Sequence, residues 1–289
     1  MKHKNLLFFL CVFIFLISGC FTTYRFYNFS NSFYAQENEN EFVDIPILMY
    51  HSVLKSKKGN YSVSPTMLEN DIKYLKSHGY EAIFIQDIIN YCQGITLLPQ
   101  KPVVLTFDDG HYNNYFYAYP ILKEYNFKAN LNVIGCFTDY STTSGDIDNP
   151  NYSYVTWSEI KTLHDSGLFE IGNHTYNMHK YKPRFGIKKI YNESDEDYEK
   201  ALSDDVLKLE NKLQQECGFT SNVFAYPFGE YSKESEKILR NIGFKAFLTC
   251  NEGINKVYKG NTAVLSHLKR INRTGLLSTE DFFNKFKIN

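Results

Sequence analysis

The sequence predicts an α/β fold in which helices cover a parallel sheet, and three observations carry that reading. Apolar strands alternate with amphipathic helical stretches from about residue 45 onward. The helical stretches close on glycine, the expected residue just past a helix end. The strands number about seven or eight, which suggests a (β/α) barrel, with an open doubly wound sheet as the alternative.

The first residues stand apart from that pattern. MKHKNLLFFLCVFIFLISGC pairs a basic start (Lys2, Lys4) with an apolar stretch from Leu6 to Ile17 and small residues before Cys20. This is the layout of a signal peptide. The apolar stretch is short of the roughly 20 residues that a membrane span needs. The ending ISGC resembles a bacterial lipobox, so residues 1–20 read as a lipoprotein-type signal with Cys20 as the lipidated residue. An uncleaved signal anchor is the alternative. Residues 21–44 are polar and aromatic without a period and read as a tether. The folded domain is expected over 45–289. It is expected to be exported, either tethered to the outer face of the bacterial cytoplasmic membrane or secreted.

Within the domain, strands are expected at 46–50, 80–85, 101–107, 128–134, 169–173, 223–227, 245–250 and 263–271. LENDIKYLKSHG carries Leu68, Ile72 and Leu75 on one helical face before Gly79. TWSEIKTLHDSG opens with Thr156 and Glu159 at capping-box spacing and closes at Gly167. YEKALSDDVLKLENKL aligns Leu202, Val206, Leu209 and Leu213, and SKESEKILRNIG ends at Gly243. The acidic NESDEDYE before the third of these reads as a solvated turn with carboxylates at a helix N-terminus.

Composition narrows the function. A net charge of −1 argues against nucleic acid as a partner, since phosphate binding needs a basic excess. Cys92, Cys136, Cys217 and Cys250 show neither a metal knuckle nor a catalytic spacing and read as buried free thiols.

The unusual residues fall at strand C-terminal ends, where parallel α/β folds place their chemistry. They are His51 after PILMY, Asp108-Asp109 after VVLTF, His174 after FEIGN, and Pro227-Phe228 after VFAY. Neighbours on a regular strand point to opposite faces, so two carboxylates share a cleft only if the backbone turns, which Gly110 permits. Two like charges so close call for a cation or a shared proton. His174 and His179, five residues apart in GNHTYNMH, suit a loop wrapped around a metal. Two imidazoles and a carboxylate leave coordination positions open to water. His78, His111 and His164 read as surface residues.

Together TFDDG, HTYNMH and AYPFG resemble the polysaccharide deacetylases, the NodB-homology group of carbohydrate esterases. The resemblance runs from about Pro46 to the C-terminus. PILMYHSV and the five-residue histidine spacing look most like the branch acting on poly-N-acetylglucosamine. The resemblance implies a distorted, truncated barrel and a metal-dependent hydrolase that removes N-acetyl groups from a cell-surface or extracellular N-acetylglucosamine-containing polysaccharide. It also implies roles for residues. Asp108 matches the general base. Asp109, His174 and His179 match the ligands of one divalent metal, with zinc favoured by the donor set and cobalt, nickel or iron as alternatives. Tyr226, Pro227 and Phe228 match the cleft wall, with an oxyanion-binding N–H near Phe228. Three departures stand out. Ala225 occupies the position of an arginine that pairs with the base. The family's Trp-containing motif has no match, and Trp157 reads as packing. The Leu-x-His motif that supplies the general acid matches only at residues 265–267, so His267 and His51 are both candidates. The competing readings are a non-catalytic glycan-binding protein and a deacetylase of peptidoglycan or acetylated xylan. The expected partners are an N-acetylated glycan and, through the N-terminus, the membrane.

Overall fold

The computed structural model describes residues 42–55, 59–144 and 148–289. The signal expected over 1–20 and the tether up to residue 41 lie outside the described residues. Residues 42–44, also expected in the tether, belong instead to a strand, Phe42–Ile45, that pairs antiparallel with Asn255–Tyr258. Its apolar Val43 lies opposite the buried Val257, which explains why the fold begins slightly earlier than the composition suggested.

The central sheet is built from β1 (Ile47–Tyr50), β2 (Glu81–Ala82), β3 (Pro102–Phe107), β4 (Ala129–Val133), β5 (Phe169–Asn173), β6 (Val223–Ala225), β7 (Ala246–Leu248) and β8 (Ile271–Asn272). All neighbours are parallel, in the order β7-β6-β5-β4-β3-β1-β8, with β2 paired to the start of β3. The described helices are α1 (Pro65–Ser77), α2 (Ile85–Cys92), α3 (Tyr119–Tyr125), α4 (Gly135–Ser144), α5 (Trp157–Asp165), α6 (Asp195–Lys212), α7 (Lys233–Ile242) and α8 (Thr279–Phe286). None is long and apolar enough to cross a membrane. The capping box expected before α5 is present: Thr156 Oγ1 accepts the N–H of Glu159, and Glu159 accepts the N–H of Thr156. Trp157 is buried, as its packing role required.

Several expected strands are shorter than their apolar runs, two of them sharply so. The second keeps only Glu81–Ala82, because Glu170 accepts the N–H groups of Ile85 (2.8 Å) and Gln86 (3.0 Å) and starts α2 there. The last, expected over 263–271, is a tight turn at Ala263–Ser266 followed by β8 alone. The side chain of Asn261 accepts the N–H of Ala263 and turns the chain. The segment nevertheless closes the ring. Leu268 donates to Phe247 (2.9 Å), Thr249 donates to Leu268 (3.0 Å), and Arg273 donates to Met49 (2.9 Å). Residues 268–273 therefore bridge the two sheet edges, giving the distorted, truncated barrel of about seven strands that the resemblance implied.

Strand alternation decides what faces the site. On β3, Val103, Leu105 and Phe107 pack with α1 and α5 residues such as Leu68, Ile72 and Ile160. Val104 faces the other way, with Ile47, Val223, Ala225, Ala246 and Leu248. Thr106 and Asp108 continue the Val104 face, as Asn130 and Asn132 do on β4. The interior is thus apolar low in the barrel and polar toward the strand ends. Gly172 on β5 makes room for this, since a Cβ there would lie 2.0 Å from Asn132 Oδ1.

A buried ion pair fixes the closing segment. Arg273 grips Asp71 of α1 through Nε–Oδ2 (2.7 Å) and Nη2–Oδ1 (2.9 Å). The Tyr50 and Thr279 hydroxyls donate to the same carboxylate. Both charged side chains are fully buried, so each depends on the other to offset its desolvation.

Candidate active site

Asp108 ends the inward face of β3 and is almost fully buried. Its Oδ1 accepts from Asn132 Nδ2 (2.7 Å) and from Arg270 Nη1 (2.8 Å). Burial pushes its pKa up, but the Arg270 guanidinium, with His174 and His51, outweighs burial and holds the carboxyl at about 2. Arg270 is itself fixed by Nε donating to Thr249 O (2.9 Å). The charge partner missing at Ala225 thus comes from the segment that closes the barrel, just before β8. Sequence reading missed Arg270; its only trace was a cation set between the apolar Leu268 and Ile271.

The two carboxylates share the cleft because Asp109 (φ 73) and Gly110 (φ 70) both take left-handed backbone. The turn is not the glycine's alone, since the aspartate itself bends. Asp109 Oδ1 lies 3.7 Å from His174 Nε2 and 3.5 Å from His179 Nε2. Its Oδ2 lies 3.4 Å from His111 Nε2. Burial raises the Asp109 pKa, and the contact and charge of His111, then the charges of His174 and His51, bring it far below the usual carboxylate range. His111 is therefore not a plain surface residue. It stacks on Tyr154 (5.1 Å) and backs the second carboxylate oxygen.

His174 follows β5 and is buried. Its Nδ1 donates to the Ala225 carbonyl (2.7 Å), since a carbonyl can only accept, and this leaves Nε2 with its lone pair toward Asp109. Burial, the largest influence, depresses its pKa to about 4 and keeps the ring neutral at neutral pH. The loop to His179 is held from within. Asn173 Oδ1 accepts the Thr175 N–H, Thr175 Oγ1 accepts the Met178 N–H, and Asp205 accepts the N–H groups of Tyr176 and Asn177. That wrapping makes a five-residue spacing converge.

These residues fit one divalent ion. The donor atoms of Asp109, His174 and His179 lie within 4.8 Å of one another. Asp109 Oδ1 is buried without a hydrogen-bond partner, and the other nitrogen of His174 is already occupied by a carbonyl, as in metal-ligating imidazoles.

The other candidates separate. His51, at the end of β1, has its Nδ1 buried without a partner and its ring edge against Tyr61. Burial lowers its pKa, opposed by the charges of Asp108 and Asp109, which places it in the same electrostatic site. His267 does not join them. It follows the Ala263–Ser266 turn, stands 45% exposed, and lies against Glu236 (3.5 Å) and Tyr231. Tyr226 and Pro227, expected on the cleft wall, are buried. Tyr226 packs with Phe224 and Phe247 because the strand face it occupies points into the core. Phe228 alone of the three is partly exposed. It adopts φ 57, and its ring lies 4.3 Å from that of His179. The four described cysteines are free; Cys92 and Cys217 are buried as expected, whereas Cys250 is exposed.

The fold and site define a (β/α) barrel with three side chains, Asp109, His174 and His179, spaced to hold a metal ion, and a second buried carboxylate, Asp108, beside them at the strand ends. A family model described as polysaccharide deacetylase matches residues 97–247, just over half of the chain, and the chain belongs to that family. It is 25% identical over 228 residues to the poly-beta-1,6-N-acetyl-D-glucosamine N-deacetylase of Escherichia coli K12, covering 73% of this chain and 33% of that protein. It is 28% identical over 186 residues to the protein of the same name from Staphylococcus aureus MRSA252, covering 64% of this chain and 60% of that one. The chain thus spans less than two thirds of the length of either relative. Among solved structures, the Streptococcus pyogenes deacetylase PplD in complex with acetate superposes with a TM-score of 0.67 at 25% identity, covering 84% of this chain and 98% of that one.

Proposed function

We propose that the protein is a metal-dependent deacetylase of an extracellular N-acetylglucosamine polymer, with poly-β-1,6-N-acetylglucosamine as its substrate. The observation that carries this reading is Asp108. A protein that only held a metal would need Asp109, His174 and His179. Asp108 coordinates nothing in that set, yet it is buried, kept ionised by Arg270 and oriented by Asn132. The named E. coli and S. aureus relatives support the substrate class.

A divalent ion held by Asp109, His174 and His179, with zinc favoured by the donor set, would supply Lewis acidity toward water and the acetamide carbonyl. Asp108 takes the proton of the attacking water. Its hydrogen bonds to Asn132 and Arg270 both fall on Oδ1, which leaves Oδ2 for that proton. The turn at Phe228, in the segment that resembles the family's cleft wall, would present an N–H to the oxyanion. His51 passes the proton taken up by Asp108 on to the departing nitrogen as the C–N bond breaks, giving acetate and a free amine on the sugar and returning Asp108 to its ionised form. His51 takes this role rather than His267 because it lies at the end of β1 with Nδ1 buried and unpartnered, whereas His267 is exposed against Glu236. The N-terminal sequence supports action outside the cytoplasmic membrane, with Cys20 as the lipid-bearing residue; Cys20→Ala should release the protein from membranes without changing acetate release.

The test is acetate release from matched β-1,6-linked N-acetylglucosamine oligomers, chitin oligomers, peptidoglycan and acetylated xylan by metal-reloaded protein. Preference for the β-1,6 oligomers is expected. Preference for xylan or peptidoglycan would overturn the substrate assignment. Glycan binding without acetate release from any polymer would replace the enzyme with a binding protein.

A further inference from the structure

We propose that Tyr181, Phe185 and Phe228 form a sugar-binding platform beside the triad. It would take the pyranose ring of an N-acetylhexosamine residue neighbouring the one whose acetamide reacts. This assignment of a subsite rests on the reading of the protein as a glycan deacetylase.

The three rings form one stacked cluster. Phe228 lies 4.8 Å from Tyr181 at 24° and 4.8 Å from Phe185 at 7°, and Tyr181 lies 5.8 Å from Phe185 at 27°. The cluster is continuous with the site, because the Phe228 ring also contacts that of His179 at 4.3 Å. Yet it faces solvent: Tyr181 is 73% exposed and Phe185 36% exposed. The ring surface left in water gains nothing for the fold.

The loop that carries them is braced. Arg184 grips Glu193 in a bidentate pair (2.9 and 2.6 Å) and donates to the Lys188 carbonyl. The Tyr198 hydroxyl donates to Ile187 O (2.8 Å). Gly186, at φ 57, lets the loop close on the cleft segment, since a Cβ there would stand 2.8 Å from Pro227 O. The rings are thus pre-positioned, which reduces the ordering cost of binding.

The chemistry selects the occupant. A β-linked glucosamine ring presents a face of C–H bonds, which a flat aromatic surface accepts while the sugar hydroxyls stay in water. Three rings are far too small an area for a stable protein partner. A single sugar next along the polymer fits both the size and the position.

The experiment measures affinity apart from catalysis. A β-1,6-linked N-acetylglucosamine pentamer, and chitopentaose in parallel, are titrated into Asp108→Asn protein with and without Tyr181→Ala or Phe185→Ala. Metal stoichiometry and melting temperature show that each variant is folded. Tyr181→Ala is expected to weaken pentamer binding about tenfold, and Tyr181→Phe to restore it. Unchanged affinity in folded Tyr181→Ala and Phe185→Ala overturns the platform, whatever the enzyme assays show. Absence of binding by either glycan overturns it as well. Tyr181-dependent binding without acetate release by the wild type would sustain the platform while removing the deacetylase.

Discussion

Arg270→Met tests the idea that the segment closing the barrel holds Asp108 ionised. In the Asp108–Arg270 pair the side chains are 3% and 0% exposed. Removing one member of such a pair strands the other charge and costs about 3–5 kcal/mol. For a chain of this size that lowers Tm by roughly 2–4 °C per kcal/mol, so about 6–20 °C in all. Removing both charges leaves a neutral amide in the pocket, so Arg270→Met/Asp108→Asn should melt above Arg270→Met. The pH dependence follows from the sign of the shift. The Asp108 pKa is depressed from 3.8 to about 2, so its contribution is present above pH 3.8 and is lost as pH falls through about 2. Without Arg270, burial is the largest remaining influence and the pKa rises. Protonation then relieves the stranded charge, and the deficit of Arg270→Met should shrink as pH falls from 8 to 4. Thermal melts of metal-free protein by circular dichroism measure both effects. A double variant no more stable than Arg270→Met, or a deficit constant across that pH range, would refute the reasoning.

Three further outcomes are expected. His51→Gln should lower kcat for acetate release by about 10²-fold or more, whereas His267→Gln should leave it within about twofold, as steady-state kinetics on a glucosamine oligomer will show. Burial lifts Glu170 to about 7, so its contribution to stability is complete below about pH 4.5 and is lost as pH rises through 7; Glu170→Gln should flatten the change in Tm over that window. Arg273→Met should destabilise the fold by about 3–5 kcal/mol through the stranded Asp71, read by urea unfolding, and Asp71→Asn in the same chain should recover part of that loss.

What the sequence revealed was local. The period-3.6 stripes, the glycine stops and the capping box each lie within one turn or two, and they located most helices and strands. The convergence of Asp109, His174 and His179 was legible because TFDDG and HTYNMH carry them on short segments at strand ends. Arg270 was not, because its partner lies 162 residues away and only ring closure brings the two together. The backbone bend at Asp109 was hidden by the adjacent glycine, which already explained a turn. His111 looked like a surface residue because nothing local shows that the bend swings Asp109 toward it. Tyr226 was misplaced because a motif position does not say which side of a strand a ring occupies; the core side won. The strand expected at 263–271 failed for a similar reason, since one side chain, Asn261, sets a turn that the apolar residues alone do not announce.

The most direct measurement is acetate release from β-1,6-linked N-acetylglucosamine oligomers by protein stripped of metal and then reloaded with zinc or cobalt, beside Asp108→Asn and His174→Ala. The account predicts no release from stripped protein, recovery on reloading, metal binding without release in Asp108→Asn, and weakened metal binding in His174→Ala. Release that persists in Asp108→Asn, or that ignores the removal of metal, would contradict it.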